Sequence, residues 1–147
     1  MNESITYENI SQFYQFLIDD FGFEKVGEKY YPKAFGNFYV ALSSAEFLLQ
    51  YTCDRSYVTI QISAHIYPLD WYDLSFVKNY IYQPENINSA DDGDNIKRIE
   101  QLNNFIISDF DLIKDLFNKE NYSNTKKKID DELKIEFLRR FPGSIQE

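Results

Sequence analysis

Cys53 and His65 are the only residues of their types in this chain, so any thiolate–imidazole nucleophile must be built from that pair. Eleven residues lie between them, and each sits on or beside a run with strand alternation. Neither lies at a helix N-terminus, where a thiolate is stabilised. Alternation turns His65, after Ala64, away from the core face, so a strand-end histidine is expected rather than a general base. One His and one Cys also fall short of a tetrahedral nitrogen–sulfur metal site. Asp91-Asp92-Gly93-Asp94-Asn95 invites a calcium reading, but an EF-hand loop starting at Asp92 would place Ile96 and Lys97 where an oxygen ligand and glycine are needed. The expectation is a solvated acidic loop, with Asp94 at the start of a helix. Gly22, Gly27, Gly36, Gly93 and Gly143 are scattered and make no phosphate-cradling loop. The 24 acidic residues include no pair marked out for acid–base work. No catalytic, cofactor-binding or metal-binding residue is therefore assigned.

Charge and aromatic content carry more information. Fifteen Lys and Arg against 24 Asp and Glu leave a net charge of −9, which opposes binding to a phosphate backbone. The acidic excess lies before residue 121. Lys126-Lys127-Lys128 followed by Asp130-Asp131-Glu132 reads as a solvated helix face with i, i+4 pairs such as Lys126–Asp130. Thirteen Phe and 12 Tyr are the unusual feature of the composition, and the wealth of Tyr, Phe, Ile, Asn and Lys also fits translation of an AT-rich genome. The phenylalanines fall mostly on core stripes. Tyr39, Tyr57, Tyr67, Tyr72 and Tyr82 fall on polar faces beside carboxylates, a combination suited to protein interfaces.

Residues 6–20 form an amphipathic helix with Ile10, Phe13, Tyr14, Leu17 and Ile18 on one face, Thr6 as N-cap and Gly22 as the stop. The period then changes to two. Phe23–Tyr31, ended by Pro32, reads as an edge strand, and Phe38–Leu42, Phe47–Thr52 and Val58–Ala64 as three more. Short connections such as Cys53-Asp54-Arg55-Ser56 make them antiparallel. Helical spacing returns with Trp71, Leu74, Val77 and Ile81, capped by Asp70, and this makes Trp71 a core residue. The polar stretch 83–95 is a loop. Ile96, Ile99, Leu102, Ile106, Phe110, Ile113 and Phe117 form a third stripe, broken near Ser108-Asp109. Asn121–Asn124 is a further break, and Ile129, Leu133, Phe137 and Phe141 line a last helix. The expected fold is a single α+β domain over residues 1–147, with an antiparallel sheet of about four strands, an N-terminal helix and three or more C-terminal helices. No apolar run is long enough to cross a bilayer, residues 1–4 do not open a signal peptide, and the lone cysteine makes the cytoplasm the expected compartment.

Phe47–Ile81, about a quarter of the chain, runs from an apolar strand through the Cys53-Asp54-Arg55-Ser56 turn and the alternating strand Tyr57–Ala64 to Asp70-Trp71-Tyr72-Asp73-Leu74 opening a helix. In this it resembles small acidic bacterial immunity proteins of polymorphic and contact-dependent toxin systems. The resemblance implies function by binding, with no catalytic residues to carry over. The expectation is a non-enzymatic inhibitor of a cognate basic toxin domain, with no cofactor and no nucleic-acid or membrane partner. Asp91, Asp92 and Asp94 would steer the encounter, while Asp70, Tyr72 and Asp73 would provide exposed anchors. A small carboxylate-dependent enzyme and an adaptor subunit of a larger complex are the alternatives.

Overall fold

The computed structural model describes residues 4–66, 70–82 and 94–141. Its order is α1 (Ser11–Phe21), β1 (Glu24–Tyr31), β2 (Asn37–Ser43), β3 (Phe47–Asp54), β4 (Tyr57–Ala64), β5 (Tyr72–Asp73), α2 (Leu74–Tyr82), α3 (Asn95–Ser108), α4 (Phe110–Phe117) and α5 (Tyr122–Arg140). This is an α+β fold built on one antiparallel meander, with strand order β1-β2-β3-β4-β5. No helix among the described residues is long and apolar enough to cross a membrane.

The sheet has five strands rather than four. The additional strand is Tyr72–Asp73, which pairs Ile62 with Tyr72 and Gln61 with Asp73. Helical spacing from Trp71 hides this pairing, because the partner strand lies about ten residues upstream. The helix starts later, at Leu74, and its cap is Asp73 rather than Asp70: Ser75 N and Oγ both donate to Asp73 Oδ1, at 2.9 and 2.7 Å. Trp71 precedes the strand and is half-buried. Tyr72, Leu74 and Val77 take the core positions.

Alternation in β2, β3 and β4 does what its period requires. Phe38, Val40, Leu42, Phe47, Leu49, Tyr51, Val58, Ile60 and Ile62 face the helices and are buried. Tyr51 Oη donates to Asn103 Oδ1 at 2.7 Å, and Asn103 Nδ2 donates to Phe13 O at 2.8 Å, so one half-buried polar chain joins sheet, α3 and α1. α1 begins at Ser11, five residues later than the expected start at Thr6 and directly after Ile10, where the apolar stripe opens. Thr6 and Asn9 instead close a preceding turn on each other, with Thr6 N donating to Asn9 Oδ1 at 2.7 Å and Asn9 N to Thr6 Oγ1 at 3.3 Å. Gly22 ends the helix at φ +75°, and Phe23 N reaches back to Leu17 O at 3.1 Å, the geometry that favours glycine at this place. β1 is an edge strand, as expected.

The third stripe divides at Asp109 into α3 and α4. α5 opens at Tyr122, so the break before it is shorter than 121–124 would make it. Only its first half is docked: Tyr122, Thr125 and Ile129 are buried, while Leu133, Phe137 and Phe141 are exposed. The apolar period of that stripe continues past the last described element it packs on.

Candidate partner-binding surface

The sequence-selected residues Asp70, Tyr72 and Asp73 lie at a different level of β4 from Asp94. Asp70, Tyr72 and Asp73 gather where β5 meets α5. Lys126 Nζ lies 3.1 Å from Asp70 Oδ2 and 3.4 Å from Asp130 Oδ2. Lys126 also donates to Tyr72 Oη at 3.0 Å, and Tyr72 Oη donates to Asp130 Oδ1 at 2.7 Å. Tyr72 is only 8% exposed, so it is not the exposed anchor expected for it. Asp70 holds Lys126, and Asp73 caps α2. The cluster latches α5 onto the sheet.

Its electrostatics suit a latch better than a proton-transfer site. Bonds to Tyr72 and Asp70 hold the Lys126 ammonium above its ordinary value, so it stays charged at neutral pH. Burial, with the Asp130 bond, holds the Tyr72 phenol above its ordinary value and therefore neutral. A general base would need shifts in the opposite direction, toward neutrality.

Cys53 and His65 are at opposite ends of the sheet. Cys53 pairs with Val58, and Ala64, the residue before His65, pairs with Phe47. Six residues of strand, about 20 Å, separate these levels, which removes the dyad. Cys53 is buried, and burial raises its thiol pKa. His65 Nε2 lies 2.6 Å from Ser44 O; a carbonyl only accepts, so Nε2 is the donor there. His65 borders an open cleft of about 510 Å³ with Glu46, Ile66, Phe117, Lys119 and Glu120.

The other end of the sheet holds the Cys53–Ser56 turn, whose backbone conformation and supports the sequence did not single out. The β3–β4 connection is two residues, Arg55 and Ser56, with φ +52° and +69°. Both central residues of such a hairpin are left-handed, a conformation that favours Asn-Gly over residues with larger side chains. Two asparagines from elsewhere hold the turn. Arg55 N donates to Asn37 Oδ1 at 2.7 Å. Asn95 Nδ2 donates to Ser56 O at 2.6 Å, and Asn95 Oδ1 accepts from Val58 N at 3.1 Å. Asn95 thus bonds the β4 edge as a neighbouring strand's peptide would. Arg98 completes the cover: its Nη1 donates to Val58 O at 2.8 Å and its guanidinium lies 4.1 Å from the Tyr57 ring centroid.

The adjacent β1–β2 loop is strained as well. Phe35 stands at φ +60° and is 76% exposed. Tyr31, at the end of β1, is also exposed. Asp94 belongs to this end: it caps α3 by accepting from Lys97 N at 3.1 Å, and its neighbour Asn95 makes the bonds to the turn. Asp91 and Asp92, like Tyr67, lie outside the described residues. Phe35 carried no signal in its own period, since an aromatic in a Pro-Lys-Ala-Phe-Gly loop reads as ordinary composition.

Among the described residues no three His, Cys, Asp or Glu side chains group as metal ligands. No protein-family model, no curated protein and no solved structure matches the chain.

Proposed function

We propose that this chain is a non-enzymatic immunity protein that binds and neutralises a cognate, basic bacterial toxin domain in the cytoplasm. The observation that carries the reading is Phe35, held out into solvent on left-handed backbone at the sheet tip. Backbone strain combined with an exposed large aromatic works against stability, so a role outside the fold is the natural reason for it. A stiff aromatic that needs no ordering on contact is what an interface anchor requires.

Charge supports the same reading. A net charge of −9 accelerates encounter with a basic partner and slows encounter with an acidic one. Asp94, the described member of the acidic trio, is at the aromatic end, which places one steering charge at the same end as the anchor. Asp70 and Tyr72 contribute through the latch that fixes α5 to the sheet, and Asp73 through the cap of α2.

The test is co-expression with the protein encoded beside this chain's gene. Protection of growth, together with recovery of a one-to-one complex, supports the reading. Toxicity undiminished by abundant, folded protein overturns it.

A further inference from the structure

The two edges of the sheet are finished differently. On the β4 side, β5 pairs residues 61 and 62, and Asn95 and Arg98 bond the backbone near Val58. On the β1 side, no described strand follows Glu24–Tyr31. Eight residues of edge are presented there, most of them with exposed side chains. An open edge is a template for another strand.

Charge along this edge runs Glu24-Lys25-Val26-Gly27-Glu28-Lys29. Set against its own reverse about a point between Val26 and Gly27, Glu24 meets Lys29 and Lys25 meets Glu28. Directly opposed residues of an antiparallel pair share a face of the sheet, so the faces must agree for these pairs to form. They do. Lys25, Glu28 and Tyr30 register with Leu42, Val40 and Phe38 on the helix-covered face, and Glu24 and Lys29 register with Ser43 and Tyr39 on the other. Lys25 and Glu28 are three apart and would normally point to opposite faces. The register shift between Lys25 and Gly27 puts them together, 3.3 Å apart. The bulge therefore makes the edge complementary to itself. Shifting the pairing by two residues in either direction loses the Glu–Lys matches.

We propose that β1 is the interface of a two-fold dimer of this chain. β1 of one copy pairs antiparallel with β1 of the second, Glu24 facing Lys29 and Lys25 facing Glu28, so that two five-stranded sheets become one. This is independent of the toxin reading. One strand edge is less than a standard-size interface, so the dimer forms in a concentration-dependent and salt-sensitive way.

Sedimentation of the full chain across a wide concentration range at low salt tests it. Wild type should shift from monomer to dimer. Lys25→Glu/Lys29→Glu, with four acids on the edge, and Glu24→Lys/Glu28→Lys, with four bases, should each raise the dimer dissociation constant about tenfold or more. Mixed together, they should form a one-to-one heterodimer. The fourfold exchange of all these residues keeps the net charge and should dimerise like wild type. Wild type that stays monomeric throughout, or an acidic-edge variant that dimerises as well as wild type, would overturn the proposal. A mixture that stays monomeric would do the same.

Discussion

At the β5–α5 junction, Tyr72, Lys126, Asp70 and Asp130 satisfy one another. At the sheet tip, Asn37 and Asn95 satisfy backbone that Arg55 and Ser56 hold in an unfavourable conformation. Both regions use polar side chains from distant parts of the chain, yet to different ends. The junction fastens a helix and buries a tyrosine. The tip fixes a strained turn beside an exposed Phe35. Polar groups that stabilise the fold and polar groups that hold a surface in shape are told apart by what they leave in solvent.

The contrast predicts unequal responses to substitution. The largest belongs to the junction. Tyr72→Ala removes a buried ring and leaves Lys126 and Asp130 without their shared partner, a loss of about 3–5 kcal/mol. Trp71→Ala, at the half-buried neighbour, should cost clearly less. Thermal melting of both compares them, and a larger loss at Trp71 would reverse the core assignment. Next is Asn95→Ala, which strips Ser56 O and Val58 N of their partners and should cost about 1–3 kcal/mol. A denaturant midpoint equal to wild type would mean that the turn does not need this clamp.

A smaller effect, in the opposite direction, separates stability from function at the tip. Arg55→Asn with Ser56→Gly supplies the residues that left-handed hairpin turns favour and should stabilise by about 1–2 kcal/mol. Loss of stability would show that the side chains there contribute more than the backbone costs. The junction also responds to alkali. The Lys126 pKa is raised above its ordinary value of 10.5, so its contribution is complete below that pH and is lost as pH rises through the higher folded value. The Tyr72 pKa, also raised, adds in the same direction, because the folded state disfavours the phenolate. The melting temperature should therefore fall in the alkaline range, and Lys126→Met should flatten that fall. The smallest stability effect belongs to Asp91→Asn/Asp92→Asn/Asp94→Asn. Asn caps as well as Asp, so melting should hardly move, within about 0.5 kcal/mol per site. Association with a basic partner should slow and lose salt dependence. Equal rates for both forms at every salt concentration would remove the steering role.

Period and composition made much of the fold legible. The alternation of Val58–Ala64, the Gly22 stop, the Pro32-limited edge strand and the break at Asp109 are local signals, and the structure follows them. Contacts between distant segments were not legible. β5 is two residues long and exists only because Ile62 pairs with Tyr72. Asp70 reads as a cap until Lys126, more than fifty residues on, is placed beside it. At the tip the short Cys53–Ser56 connection was legible as a hairpin, but its left-handed backbone was not, because the turn lacks glycine. Its support comes from Asn37 and Asn95, whose roles appear only when three segments meet. For the candidate site, the sequence indicated acid and tyrosine, and Asp94 does lie at the proposed end. It missed Phe35, the residue on which the binding proposal now depends.

That residue also gives the most direct test. Phe35→Asn keeps a residue that tolerates left-handed backbone and removes the ring. Its dissociation rate from the neighbouring-gene toxin should be measured beside its melting temperature. An unchanged melting temperature with dissociation accelerated about thirtyfold or more, as for an interface anchor, is the predicted result. Wild-type dissociation from the toxin would contradict the assignment of the sheet tip as the binding surface.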